Sequence, residues 1–200
     1  MAKFQIANRV TYADRRGWGA DSKYPRRGYR VNRKDRETIF IHHTVIVDND
    51  VTKNQWETEA EVFSKMRQLQ IIRQKDLGSD VPYNFVVFLM NTNPASIYVC
   101  EGRGEDRTGA HTRGHNTKGI GIALQGNFEH ILTPLSEYIP LISLFLGWLK
   151  FDPNGPNYGG PYAPMSNLNE ISYHQKVSNT ACPGKHVIEI IPRLKYINPR

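Results

Sequence analysis

A chain of 200 residues is long enough for one domain whose core stands without staples, and two cysteines, Cys100 and Cys182, are too few for a disulfide scaffold. Hydrophobic residues at 39% and charged residues at 22%, with 16 glycines and 12 prolines, describe a globular chain with generous loops and exclude disordered and fibrous classes. The formal charge of +7 gathers near the start, where Arg15, Arg16, Lys23, Arg26, Arg27, Arg30, Arg33, Lys34 and Arg36 crowd a stretch with few acids. Such a patch steers a protein toward a polyanion or forms a solvated arm; charge alone does not separate the two.

Residues 1 to 36, broken by Pro25 and several glycines, read as a basic lead-in packed on a single globular domain that fills residues 37 to 200. Met1 to Ile6 carry one positive charge with no apolar core behind it, so no secretory signal is expected, and synthesis in a reducing cytoplasm is. Thr38 to Ile41 is β-branched and aromatic, predicting a buried strand that ends at His42-His43. From Asn54 to Lys75, Trp56, Ala60, Phe63, Met66 and Ile71 recur at helical spacing, and Gly78 stops the pattern.

Tyr83 to Leu89 reads as a strand buried on both faces, turned through Asn91 to Pro94 into its partner, Ser96 to Cys100. A loop rich in glycine, arginine and histidine follows to residue 117, and Gly119 to Leu124 is the next strand. Thr133-Pro134 predicts the cap and first turn of a second long helix to about Lys150. Its apolar stretch from Ile139 to Leu149 is about half a membrane span, so no bilayer crossing is expected. Asp152 to Pro164 is a Gly/Pro loop of a length that suits binding, and a short helix is expected after Gly184. The expected fold is α/β, a single-domain central mixed β-sheet flanked by helices.

A hydrolytic zinc site needs three deprotonated ligands and an open position. His174 and Cys182, joined by a polar loop and followed by Pro183-Gly184, can converge on one ion, and His42 at a strand end can supply the third ligand. Read alone, such residues are more often ordinary hydrogen-bonded histidines and a buried thiol than metal ligands.

A wider set of motifs bears on the choice. Ile41-His42-His43-Thr44, Tyr83-Asn84-Phe85, Glu101-Gly102-Arg103-Gly104, Gly109-Ala110-His111-Thr112, Asn116, Gly119-Ile120-Gly121-Ile122, Gly126-Asn127-Phe128 and His174 through Thr180-Ala181-Cys182-Pro183-Gly184 occur in that order. Together they resemble the type 2 N-acetylmuramoyl-L-alanine amidase family, which includes phage endolysin amidases and peptidoglycan-recognition proteins. Arg16-Gly17-Trp18-Gly19-Ala20 resembles the opening of the recognition proteins, one residue shorter.

The resemblance implies an amidase-like fold, one Zn²⁺ held by His42, His174 and Cys182, and hydrolysis of the lactyl-L-alanine amide of peptidoglycan. It implies catalytic roles for Tyr83 and Thr180; the latter stands where some members carry a lysine and offers only a neutral hydrogen bond. His111, Asn116, Arg103 and His43 are implied around the substrate, His43 turned away from the metal by strand alternation. A structural zinc would need a fourth protein ligand, which His43 or His111 would have to provide. The implied partners are bacterial peptidoglycan and anionic wall polymers; no nucleic-acid motif supports a nucleic-acid reading, and a monomer is expected. The implied setting is a phage endolysin made in the host cytoplasm and acting on the wall. The alternatives are a non-catalytic recognition module and a wall-recycling amidase.

Overall fold

The computed structural model describes residues 2–45, 51–74, 78–130, 133–152 and 164–199. Seven strands make one mixed sheet: β1 (Lys3–Ala7), β2 (Val10–Ala13), β3 (Thr38–His43), β6 (Phe85–Met90), β7 (Ser96–Glu101), β8 (Gly119–Leu124) and β9 (Glu170–Tyr173). Their spatial order is β1-β2-β7-β6-β8-β3-β9, while β4 (Arg73–Gln74) and β5 (Gly78–Ser79) form a separate two-stranded ribbon. The strands that carry the site, β8, β3 and β9, run parallel.

Alternation along each strand sends residues to two cores. Phe85, Val87 and Leu89 of β6, with Ile39 and Ile41 of β3, pack beneath α2 (Ile139–Phe151) and α3 (Lys185–Ile190). Val86, Phe88 and Met90 face the opposite way, onto α1 (Glu59–Gln70), Trp18 and Trp56. Phe40 and His42 share that second face, alongside the small residues Gly119, Gly121 and Ala123 of β8.

Two helix boundaries differ from expectation. The first helix starts at Glu59, not Asn54: Thr58 Oγ1 accepts the Glu61 N–H and the Glu61 carboxylate accepts the Thr58 N–H, a reciprocal box that sets the start. Trp56 lies before that cap, in an isolated bridge to Met90. Thr133 does not cap the second helix; its hydroxyl donates to Asn54 Oδ1 at 2.7 Å, a 3₁₀ turn spans Leu135–Glu137, and Pro140 occupies the first turn of α2. The short helix after Gly184 stands as expected. The expected end of the first helix at Lys75, and most of the expected binding loop between Asp152 and Pro164, lie outside the described residues.

The lead-in is more structured than its composition suggests, because β1 and β2 extend the main sheet beyond β7. Much of its charge is also turned inward. Arg15 pairs with Asp80 at 2.9 Å, and Arg26 with Glu101 at 3.0 Å and Asp106 at 2.8 Å. Arg33 is buried beside Glu105, its Nη2 donating to the carbonyls of Leu149 and Asp152. Arg36 is fully buried and donates to the carbonyls of Glu105, Arg107, Asn116, Thr117 and Gly119, tying the loop after β7 to the start of β8. Burial lowers its pKa to about 10, still charged at neutral pH. The expected attraction to anionic wall polymers therefore loses these four arginines: they hold the chain together. Among the described residues no helix is long and apolar enough to cross a membrane.

Candidate metal centre and its cleft

β9 lies beside β3 with Tyr173 opposite Ile41, so both strands deliver their next residues to one end of the sheet. His42 and His174 emerge there with ring centroids 4.7 Å apart. After the 3₁₀ turn His174–Lys176 the chain doubles back, and the Gln175 N–H donates to the Cys182 carbonyl at 2.9 Å. The Cys182 N–H donates to Thr180 Oγ1 at 3.2 Å, and the Gly184 N–H to the Ala181 carbonyl at 2.8 Å. Gly184 has φ 91°, and a Cβ there would press on the Phe128 carbonyl, so this turn requires glycine.

Cys182 Sγ comes to 3.5 Å from His42 Nδ1 and accepts the His43 N–H at 3.4 Å. Among the described residues one cluster of ligand-type side chains converges, His42, His174 and Cys182, with their ligand atoms all within 4.8 Å of one another. A tetrahedral zinc with bonds of roughly 2.0–2.3 Å holds its ligands about 3.3–3.8 Å apart, so the triad fits the ion with slight closure. The donor set fits as well. Burial lowers the pKa of His42 well below 6.5, helped by His111, His174 and His43, and burial also lowers that of His174; neutral imidazoles are the ligating form. Burial pushes the Cys182 thiol up to about 11 without an ion, so binding must displace its proton, as it does in metal–thiolate sites generally.

His43 and His111 are placed so as not to close a fourth protein position. His43 Nδ1 accepts the Phe128 N–H at 3.3 Å, and His111 Nδ1 lies 3.1 Å from His42 Nε2, the nitrogen remote from the sulfur. The three ligand-type side chains, two of them partly exposed, face an open cleft of about 390 Å³ also walled by Tyr83, His111 and Thr180. A larger cavity of about 580 Å³ lies across the 109–117 loop, lined by Arg26, Arg27, Tyr29 and Arg103. It contains neither the triad nor Tyr83, so the smaller cleft is where the chemistry can occur.

Tyr83 donates to the His43 carbonyl at 3.3 Å, its ring 5.3 Å from that of His42. Burial, then Cys182, raises its pKa above the ordinary tyrosine value, so it stays a hydrogen-bond donor. Two of the expected substrate contacts have other work. Arg103 is 1% exposed, its Nε donating to the Val81 carbonyl and its guanidinium beside Asp80, so it braces the loop and is not free to reach a stem carboxylate. Asn116 Oδ1 accepts the N–H groups of His111 and Thr112 at 2.9 and 3.1 Å, fastening the loop that carries His111. His43 is buried and reaches the sulfur through its backbone. Sequence reading passed over two further residues: Arg36, read only as charge, and Thr112, present in the quoted motif but given no role.

Gly121 lies under His111: a Cβ on it would overlap the imidazole ring. Gly121→Ala is expected to destabilise the protein by about 1–3 kcal/mol, the usual range for overpacking, as measured by urea unfolding. The buried histidines also give the metal-free protein an acid-sensitive stability. His43 and His111 titrate at about 4 and 3 when folded, chiefly through burial, while His42 and His174 are shifted the same way. The unfolded chain takes up protons near 6.5 and the folded chain does not, so this stability is complete above pH 6.5 and lost as pH falls toward 4. Burial raises the carboxyl pKa of Glu101 and Glu105, which acts in the opposite sense, but four imidazoles outnumber two carboxyls. Unfolding in urea at successive pH values, with chelator present, is expected to show the midpoint falling below pH 6.5.

The sheet order, the helices on its two faces and the three-ligand cluster at the end of β3 and β9 define an α/β domain of the peptidoglycan-recognition-protein type. No protein-family model matches the chain. It is 28% identical over 160 residues to a human (Homo sapiens) N-acetylmuramoyl-L-alanine amidase, covering 76% of this chain and 23% of that one. Drosophila PGRP-LB has the same fold, with a TM-score of 0.63 at 23% identity over 94% of this chain and 98% of that one. So does human PGRP-IBETAC, solved in complex with glycosamyl muramyl pentapeptide, with a TM-score of 0.59 at 24% identity over 90% and 93%. By sequence the chain is similar to N-acetylmuramoyl-L-alanine amidases and peptidoglycan-recognition proteins, and it shares the fold of the latter. It spans about a quarter of the length of the mammalian amidases it matches.

Proposed function

We propose that this chain is a zinc-dependent N-acetylmuramoyl-L-alanine amidase that hydrolyses the lactyl-L-alanine amide of peptidoglycan. The observation that carries the reading is the convergence of His42, His174 and Cys182 on an open cleft beside the Tyr83 hydroxyl. Zinc held there would supply Lewis acidity and bring the pKa of a water molecule toward neutrality.

The remaining chemistry belongs to the chain. His42, His174 and Cys182 would hold the ion beside the open cleft. Tyr83 O–H is the donor for the carbonyl oxygen that gains charge when the amide is attacked. Thr180 accepts the Cys182 N–H and so shapes the ligand loop, while its own hydroxyl hydrogen is left to donate at the cleft wall. With no charge at that position, oxyanion stabilisation rests more heavily on Tyr83 than in members that carry a lysine there. His111 also lines the cleft and is the candidate contact for the peptide stem.

The cysteine also separates this reading from that of a binding-only module, which has no use for a third metal ligand. Within this proposal the enzyme acts on the bacterial wall as a phage endolysin, and the excess positive charge supports that setting over recycling. Purified peptidoglycan is expected to clear with zinc-loaded protein, to stay turbid when the protein is stripped by chelator, and to clear again on adding zinc. Clearing that persists in the stripped protein would count against the zinc mechanism.

A further inference from the structure

The ring nitrogen of His42 that faces away from the sulfur is the starting point. A histidine that ligates through Nδ1 while neutral carries its one proton on Nε2, and that proton needs an acceptor because His42 is 1% exposed. Two atoms stand within reach: His111 Nδ1 at 3.1 Å and Thr112 Oγ1 at 3.3 Å. They also contact each other at 3.0 Å, closing a triangle.

The chemistry of the three groups allows a consistent arrangement. A threonine hydroxyl donates once and accepts twice, so Thr112 can accept from His42 while donating to His111 Nδ1. Alternatively, His111 Nδ1 accepts from His42 directly. Both arrangements put the His42 proton on Nε2 and leave Nδ1 bare toward Cys182.

The triangle is itself held in place. Asn116 Oδ1 fixes the backbone N–H groups of His111 and Thr112, Arg36 holds the carbonyls of Asn116 and Thr117, and Gly109 and Gly121 leave room for the His111 ring. His111, Thr112 and Asn116 lie in the loop between β7 and β8, remote in sequence from His42, His174 and Cys182, while Arg36 precedes β3 and Gly121 lies in β8.

We propose that Thr112 and His111 act as a pair of positioning residues that fix His42 in the Nε2–H tautomer and aim its Nδ1 at the metal. The inference rests on the metal-site reading above. Loss of such a supporting contact typically weakens metal affinity about 10–100-fold.

The test has two parts. Nitrogen-15 spectra of the histidine rings in the metal-free wild-type protein report the tautomer of His42 directly, and Nε2–H is expected; an Nδ1–H tautomer would overturn the proposal without any variant. Zinc affinity is then measured by chelator competition for wild type, Thr112→Ser, and the double variant Thr112→Val/His111→Phe, with circular dichroism to confirm folding. The double variant is expected to bind about 10–100-fold more weakly, with a changed visible spectrum when loaded with cobalt(II), and Thr112→Ser to stay within about threefold of wild type. Equal affinity in a folded double variant would overturn the positioning role while leaving the metal site standing. A wild-type protein that binds no zinc would remove both. If the double variant does not fold, the wild-type tautomer decides.

Discussion

Replacing Cys182 with serine is expected to abolish peptidoglycan hydrolysis and to weaken zinc binding by more than ~100-fold, a larger loss than that of a supporting contact alone. The reason is the softness and charge of the ligand. A thiolate neutralises half of the ion's charge and binds zinc strongly, whereas a serine hydroxyl is neutral at physiological pH and a poor ligand. The fold should survive, because Cys182 is only partly buried and its loop is held through the backbone N–H groups of Gln175 and Gly184 and the Thr180 hydroxyl. Equilibrium dialysis with zinc, alongside the turbidity assay, checks both halves. A serine variant that still clears peptidoglycan at the wild-type rate would mean that the sulfur is not a ligand.

Removing only the Tyr83 hydroxyl should separate catalysis from binding. Tyr83→Phe is expected to lower kcat by about 10²–10³-fold, the range for loss of one oxyanion donor, with zinc affinity unchanged. The ring keeps its place beside His42, and the hydrogen bond to the His43 carbonyl is lost. A phenylalanine variant that loses its zinc would recast Tyr83 as part of the support for the metal. One that keeps full activity would leave the oxyanion to other donors.

The strands and the candidate ligands were legible in the sequence for different reasons. The strands from Thr38, Phe85, Ser96 and Gly119 are apolar on both faces, so composition alone marks them. β1, β2 and β9 are not so marked: Lys3–Ala7 and Glu170–Tyr173 lie at the sheet edges, one face meeting water, and their mixed residues resemble a loop. The grouping of His42, His174 and Cys182 was readable only through the order of motifs, since two parallel strands far apart in sequence, Thr38 beside Glu170, bring it about. Arg36, Arg103 and Asn116 show the limit of such reading. Their residue types suggest solvent, stem carboxylates and substrate, but each hydrogen-bonds to backbone groups of the loops around the site. Spacing carries no signal for a side chain whose partners are carbonyls and N–H groups.

The boundary of the lead-in is a related case. Charge and proline set residues 1 to 36 apart in composition, yet Arg15 and Arg26 reach Asp80, Glu101 and Asp106, which flank the strand pair β6–β7. These partly buried pairs tie the segment to the sheet, since breaking one leaves a charge without its partner.

The central claim is a cleaved bond, and mass spectrometry of the soluble products from purified peptidoglycan tests it most directly. The proposed mechanism predicts free stem peptides that begin with L-alanine, together with glycan strands bearing intact lactyl groups. Muropeptides that still join sugar to stem, or peptides cut within the stem, would contradict it.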